Sequence, residues 1–293
     1  IVSTSAAVIL LSLTGVPLFA FIQGAHAKEL ERKNKTISDQ VVEVTQQKQK
    51  EEKERSRAEA REQDAIAAVK RFSDAVANNP ELKNNPKLES LRKELLKEPI
   101  GYFRSLKDRL QGDQSTSIAS LSRLAVATYG LALLTDQIGN KQDALVAYEQ
   151  AKTTLELLAR KNPASAENSS DLASTHHNIG LLLYEFSKFA EAQVAYNEAK
   201  RIRERLVREH PGVATYARDL LATHNNLGAL HNEAANYTEA LAEYAEAKEI
   251  SERLAQEFPV DSKYAIELAR NQHNLGVLLH LVGKPTEALA AYD

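Results

Sequence analysis

Apolar residues recur with one fixed period along the second half of the chain. Alanine, tyrosine and proline each return at intervals of 48 residues, and every series holds over at least three positions. A fixed period of this size indicates one structural unit copied along the chain, as in a solenoid. The recurring positions are Ala144, Ala192, Ala240 and Ala288; Tyr148, Tyr196, Tyr244 and Tyr292; and Pro163, Pro211 and Pro259. Because solenoids present extended binding surfaces, the repeat favours an interaction surface over an enzyme.

The apolar pattern within one unit predicts two helices. In the second unit we expect a first helix over residues 170–186 and a second over residues 189–209, ended by Pro211. Spacings of three and four residues place an apolar stripe on the second helix, formed by Ala192, Tyr196, Ala199, Ile202 and Leu206. The first helix carries a glycine at one recurring position, where two backbones could approach closely: Gly180, Gly228 and Gly276. One unit cannot bury such a stripe alone, so we expect the units to stack.

The sequence therefore predicts an all-α solenoid over residues 113–293, with three full or nearly full units and the start of a fourth. In the first unit Ala132 stands at the position of Gly180, as expected of an end unit whose outer face meets something other than a repeat. The sequence begins at Ile1, contains no methionine and stops at Asp293 inside a repeat. We therefore expect it to be an internal piece of a longer protein.

Residues 1–22 contain no charged side chain. As a helix they would be about 33 Å long, close to the thickness of the hydrocarbon core of a bilayer, so we expect a transmembrane helix. A signal peptide is the alternative, because Ala25, His26 and Ala27 have the small-x-small form of a cleavage site. A buried core helix is a third interpretation. The basic residues that follow favour a cytoplasmic position for that flank, but the rule needs both flanks.

Residues 23–77 read as a long charged helix, which we call the stalk. Residues 28–64 carry ten basic and ten acidic side chains. A heptad seam can be laid along the stalk, with Leu30, Ile37, Val41 and Val44 at one end, a charged middle, and Val69, Phe72 and Val76 at the other end. This pattern suits a weak or conditional coiled coil that would form a homodimer, or else a single solvated helix acting as a spacer.

Residues 78–112 are expected to form connecting helices. Two Asn-Asn-Pro sequences, at residues 78–80 and 84–86, interrupt the chain. A helix is predicted over residues 87–97, with Pro99 breaking it before another helix at about residues 102–110. Residues 112–115 then predict a turn and a helix start.

The composition excludes several kinds of function. The net charge of -3 gives no basic footprint for nucleic acid, and the absence of cysteine excludes disulfides and thiolate metal sites. His224 and His231, like His273 and His280, are spaced seven residues apart rather than four, so the HExxH metal motif is absent. We therefore expect no metal, no cofactor and no catalytic residue in this chain.

The repeat unit resembles the tetratricopeptide repeat in Asn226, Leu227 and Gly228, then Ala240, Tyr244 and Ala247, with a proline at the end. Residues 210–230 resemble the long-helix variant of kinesin light chains. That resemblance implies a concave face on which an asparagine ladder, Asn178, Asn226 and Asn274, holds the backbone of an extended peptide. An amide offers both donors and an acceptor, so it can pair with any peptide bond. Alternatively, each asparagine satisfies a neighbouring helix. The residues expected to flank the ladder are His177, Asn225 and His273, and Tyr184, Asn232 and His280.

A second resemblance covers more of the chain. The apolar span, the stalk and residues 91–110 and 134–151 resemble the region after the kinase domain in planctomycete-type bacterial serine/threonine protein kinases with tetratricopeptide repeats. It implies a single-pass membrane protein with an upstream kinase domain using ATP and magnesium, and with extracytoplasmic repeats that bind a protein or peptide in signalling. The chain itself has no glycine-rich phosphate loop and no His-Arg-Asp or Asp-Phe-Gly motif. The alternative is an exported or membrane-tethered adaptor without a kinase.

Overall fold

The computed structural model describes residues 3–112 and 117–292, without the side chains of residues 3–23 and 25. Every regular element in these ranges is a helix, so the predicted all-α class is confirmed. The chain divides into two units, Ile1–Val69 and Lys70–Asp293, which are described separately.

The first unit is formed by the helix α1, which runs Ser3–Asn78 and continues past Val69 into the second unit. In its described part nearly every side chain is exposed, including the apolar seam residues Leu30, Ile37, Val41 and Val44. The predicted membrane span has a helical backbone from Ser3, but its side chains lie outside the described residues. The single-chain structure therefore leaves these four seam residues exposed, whereas Val76 at the other end of the seam is buried in the second unit.

One helix among the described residues is long and apolar enough to cross a membrane. It is α4, Ile118–Gln137, with a mean hydropathy of 1.4. Half of that stretch is buried inside the protein, as is typical of a core helix in the first repeat unit.

The connecting region contains α2 (Pro80–Asn84), a short 3-10 turn (Pro86–Leu88) and α3 (Glu89–Gly112). Each Asn-Pro pair starts a helical segment: the Asn79 carboxamide oxygen accepts from the backbone N–H groups of Glu81 and Leu82, at 2.9 and 3.0 Å. The expected break at Pro99 is wrong, because α3 continues through it. Pro99 lies in the buried stripe of α3, and packing of that stripe offsets the one backbone hydrogen bond that proline removes. The predicted turn at residues 112–115 lies mostly outside the described residues.

Four helix pairs follow: α4 and α5 (Lys141–Lys161), α6 (Ala166–Glu185) and α7 (Phe189–Glu209), α8 (Ala214–Glu233) and α9 (Tyr237–Glu257), and α10 (Ser262–Leu281) and α11 (Pro285–Tyr292). The bounds of α7 agree with the prediction, whereas α6 begins four residues earlier than expected. Ser165 explains the earlier start, because its hydroxyl caps the helix by accepting from the N–H of Asn168 at 3.2 Å. Pro163, Pro211 and Pro259 each follow the C-cap residue of a second helix.

The apolar stripes are buried by stacking between units. One core cluster combines Leu155 and Leu158 of α5 with Leu172 of α6 and Ile202 and Leu206 of α7. Since its members come from two successive units, neither unit could bury this cluster alone.

The recurring glycines make room for the recurring tyrosines. A Cβ atom added to Gly180 would lie 2.7 Å from the Tyr196 ring, and one added to Gly228 would lie 2.6 Å from the Tyr244 ring. The sequence predicted close approach of two backbones at these glycines, but the space is filled by an aromatic side chain instead. The 48-residue spacings of glycine and tyrosine therefore have one common cause.

The turn between the two helices of each unit contains one residue with positive φ. The four positions are 48 residues apart: Gly139 (φ 91°), Ser187 (φ 59°), Ala235 (φ 58°) and Gly283 (φ 81°). Glycine adopts this left-handed conformation without steric cost, whereas Ser187 and Ala235 do not. Two of the four turns are therefore strained.

Candidate functional site

The three asparagines of the predicted ladder occupy the same place on successive first helices. Asn178 lies on α6, Asn226 on α8 and Asn274 on α10, and each side chain is partly exposed. We call the surface that they share the ladder face. The structure thus puts one amide at an accessible position in each of three units.

Asn178 is held by the preceding unit. Its Nδ2 donates to the hydroxyl of Tyr129 at 3.2 Å and to the hydroxyl of Tyr148 at 3.1 Å. Both protons of the amide nitrogen are thereby used inside the stack, so the oxygen is the atom left for other partners.

A buried arginine lies behind the second position of the ladder. Arg203 of α7 is 5% exposed, and its Nη1 donates to the backbone oxygen of Asp219 at 2.8 Å and to the hydroxyl of Thr223 at 2.5 Å. The same nitrogen lies 3.1 Å from His177 Nδ1. Burial, followed by the charge of Arg203, lowers the pKa of His177 to about 3, so this imidazole is neutral at physiological pH.

The protonation of His177 fixes the orientation of the Asn226 amide. A guanidinium nitrogen cannot accept a hydrogen bond, so a proton on His177 Nδ1 would face the N–H groups of Arg203. We therefore assign the single ring proton to Nε2, and the two Nη1 protons are shared among Asp219, Thr223 and His177. In the structure Nε2 lies 3.2 Å from the amide nitrogen Nδ2 of Asn226. An N–H group cannot pair with another N–H group. We therefore assign the Asn226 amide with its oxygen and nitrogen exchanged, so that the oxygen accepts from Nε2–H. The NH2 group of Asn226 is then the part left for other partners, the reverse of Asn178.

Asn225 faces a small polar cavity between α8 and α10. The cavity has a volume of about 40 Å³ and is lined by Asn225, Glu267 and Arg270 together with Leu221 and Ala222. Asn225 Oδ1 and Glu267 Oε2 are both buried and have no hydrogen-bond partner among the described residues. A cavity of this size can hold a water molecule or an N–H group, which these two acceptors would bind.

The other predicted flanking residues lie in different surroundings. Asn232 is partly buried and its Oδ1 has no hydrogen-bond partner within the described part of the chain. Tyr184 packs against Phe189, with ring centroids 5.5 Å apart. His273 and His280 are exposed on α10. His177 is 9% exposed, so it lies behind the ladder rather than beside it. Within the described ranges no cluster of three His, Cys, Asp or Glu side chains could hold a metal ion.

Sequence reasoning missed two polar clusters. One is the Arg203 network. The sequence feature that could have revealed it is a charged residue within the apolar stripe of α7, at a position where the neighbouring units have Leu155 and Ser251. The other joins three helices: Glu243 of α9 lies 2.6 Å from Lys200 Nζ of α7 and 2.6 Å from His224 Nδ1 of α8. Both clusters connect successive units, and neither has an equivalent of the same composition in the other units.

Comparison with known proteins agrees with this architecture. Residues 172–212 and 220–259 match the Tetratricopeptide repeat family. The crystal structure of BtubC (BKLC) from P. vanneervenii is similar, with 21% sequence identity, a TM-score of 0.55 and coverage of 77% of this chain and 86% of that one. A structure of nearly identical TPR-like repeats from Podosopora anserina has 17% identity and a TM-score of 0.44, covering 80% and 92%. No curated protein sequence matches the chain. The family match and the similarity to BtubC therefore show that the repeat region has the fold of a tetratricopeptide-repeat solenoid.

Proposed function

We propose that the repeat region binds a protein partner by holding an extended peptide segment along the ladder face. The observation that carries this proposal is the repetition of one partly exposed amide per unit, at Asn178, Asn226 and Asn274. Two of these amides are held from behind by the preceding unit, through Tyr129 and His177. A side chain that is already ordered loses less entropy on binding, so such amides suit a peptide backbone.

The test is a peptide selected from a random library on the full chain, followed by Asn226→Ala. We expect this variant to weaken binding of the selected peptide about fivefold, the value of one net hydrogen bond. Asn236→Ala is the matched control, because Asn236 is exposed and makes no side-chain capping bond. If substitution of all three ladder asparagines leaves the affinity unchanged, the peptide does not lie along this face.

The membrane assignment is a second part of the proposal. Residues 1–22 serve as a single-pass anchor, and the repeats serve as the sensor or scaffold arm of a serine/threonine kinase. The support is the resemblance of residues 91–110 and 134–151 to the region after such kinase domains. In the structure these residues lie in α3, α4 and α5, and α3 packs directly on α4. Pairing of two stalks would set the spacing of the kinase domains.

Charges in the stalk seam test this mechanism. Ile37 and Val44 are more than half exposed in the single chain, as a seam that pairs with a second copy requires. Replacing both with glutamate should lower autophosphorylation of the full-length protein, whereas Gln46→Glu, outside the seam, should not. An unchanged phosphorylation rate in the seam variant would end the stalk-pairing mechanism.

The alternative is an exported or membrane-tethered adaptor without a kinase. Two observations separate the alternatives: the reading frame upstream of the Ile1 codon and the N-terminal sequence of the mature protein. A kinase domain upstream supports the sensor arm. A mature protein that starts at Lys28 supports the adaptor, because Ala25, His26 and Ala27 would then be the cleavage site.

A further inference from the structure

An apolar cavity lies at the start of the ladder face. It has a volume of about 100 Å³ and is formed where the last part of α1 and α3 meet α4, α5 and α6. Its floor consists of side chains that are at most 4% exposed: Phe103, Ala125, Leu134 and Leu155. Val126 of α4 also lines it and is 37% exposed, which places Val126 where the cavity opens to the surface.

The cavity occupies the ladder position of the first unit. Gly130 precedes Asn178 by 48 residues, so the first unit has no side chain at the position where each of the next three units has an asparagine amide. The Phe103 ring of α3 packs directly against Gly130, because a Cβ atom added to Gly130 would lie 2.9 Å from that ring. Tyr129, which lines the same cavity, is the residue whose hydroxyl accepts from Asn178. A ligand that follows the asparagines would therefore reach this cavity next.

The edge of the cavity is acidic. Lys70, Asp74 and Asp171 all line it and are exposed. None of the three forms an ion pair within the described part of the chain. Two carboxylates against one ammonium give a net negative charge, which favours a cation beside an apolar group.

We propose that this cavity binds a branched aliphatic side chain of the bound peptide, leucine or isoleucine, with a neighbouring lysine or arginine at the acidic edge. An apolar cavity of about 150 Å³ binds benzene, so one of about 100 Å³ fits four carbon atoms but excludes an indole ring. Complete burial of such a side chain contributes about tenfold or more to affinity. The inference rests on the proposed peptide-binding function and adds the chemical class of the peptide.

The first experiment does not depend on a peptide. The probe is 3-methylbutylamine, which joins a leucine-like branch to an ammonium group, titrated into the full chain and followed by saturation-transfer NMR. Val126→Phe should abolish binding by filling the cavity, whereas Val194→Phe, at a site 65% exposed on α7, should not change it. Asp171→Asn removes one charge from an exposed side chain, so it should weaken binding of the amine about threefold without affecting binding of neutral 3-methylbutanol.

The second experiment uses peptides selected from a random library on the full chain. Selected sequences should be enriched in leucine or isoleucine next to lysine or arginine. Val126→Phe should lower the affinity of the selected peptides at least tenfold. Peptides that bind without this pattern and tolerate Val126→Phe would overturn the inference and leave the ladder proposal standing. If the amine binds but no peptide is ever selected, the peptide-binding function fails, and the assignment of the cavity to a peptide side chain fails with it.

Discussion

Lowering the pH from 7 to 5 should destabilise the repeat array through His177. The ring is 9% exposed and lies 3.1 Å from the buried guanidinium of Arg203. Burial and this charge lower its pKa from 6.5 to about 3. A histidine with a depressed folded-state pKa stabilises the protein above its unfolded pKa, and that stability is lost as the pH falls, because only the unfolded state takes up the proton.

The size of the effect follows from the shift in pKa. A pH of 5 lies one and a half units below 6.5, the pKa of the histidine in the unfolded chain. Protonation of the unfolded state therefore lowers the free energy of unfolding by about 2 kcal/mol. The loss should continue with falling pH until about pH 3. Urea denaturation followed by circular dichroism at a series of pH values measures it directly.

The control is His177→Asn, because the next unit carries Asn225 at the same position. An asparagine oxygen can still accept from Arg203, but it takes up no proton. The free energy of unfolding of the natural chain, relative to that of this variant, should therefore fall by about 2 kcal/mol between pH 7 and pH 5. A difference that is independent of pH would refute the assignment of a neutral, buried His177.

Three further changes test the fold. Ala235→Gly should raise the melting temperature by about 2 °C, because glycine relieves the positive φ of 58°, and Gly139→Ala, at the same turn of another unit, should lower it. Gly228→Ala should cost about 1–3 kcal/mol by contact with the Tyr244 ring, and adding Tyr244→Leu should recover part of that loss in a double-mutant cycle. Glu243→Gln should destabilise the chain at neutral pH. Burial raises the pKa of Glu243, but the hydrogen bonds from His224 and Lys200 outweigh the effect of burial and hold this pKa below 4.5. That stabilisation is present above pH 4.5 and disappears as the pH falls below it, so the two chains should converge in acid.

The repeat architecture could be predicted because it depends on patterns within one unit. The stripe of α7, together with Pro211 after its end, predicted the bounds of that helix and the burial of Ala192, Ile202 and Leu206. The spacing of three and four residues reports which face of a helix is apolar, and stacking is then the one way to bury it. Nothing about the partners in the stack is needed for this step.

The contacts of the candidate site could not be predicted in the same way. Asn178 bonds Tyr129, and Asn226 pairs with His177, in each case across 49 residues. These pairs depend on how two successive units are offset, which no pattern inside a unit encodes. The prediction of a helix break at Pro99 fails for a related reason. Local propensity predicts a break, but burial of Leu96, Ile100 and Phe103 along one face of α3 keeps the helix continuous.

The variation behind the ladder gives each amide its own hydrogen-bonding role. Tyr129 and Tyr148 accept from the Asn178 nitrogen and leave the oxygen for other partners. In the orientation that we assign to the Asn226 amide, His177 donates to its oxygen and leaves the nitrogen. Side-chain amide protons of Asn178 should therefore exchange with water more slowly than those of Asn226, and NMR of the two amides measures this. Equal rates would contradict the tautomer assigned to His177. If an extended peptide lies along the ladder face as proposed, one position accepts from its N–H and the next donates to its carbonyl, so the ladder would select one peptide direction.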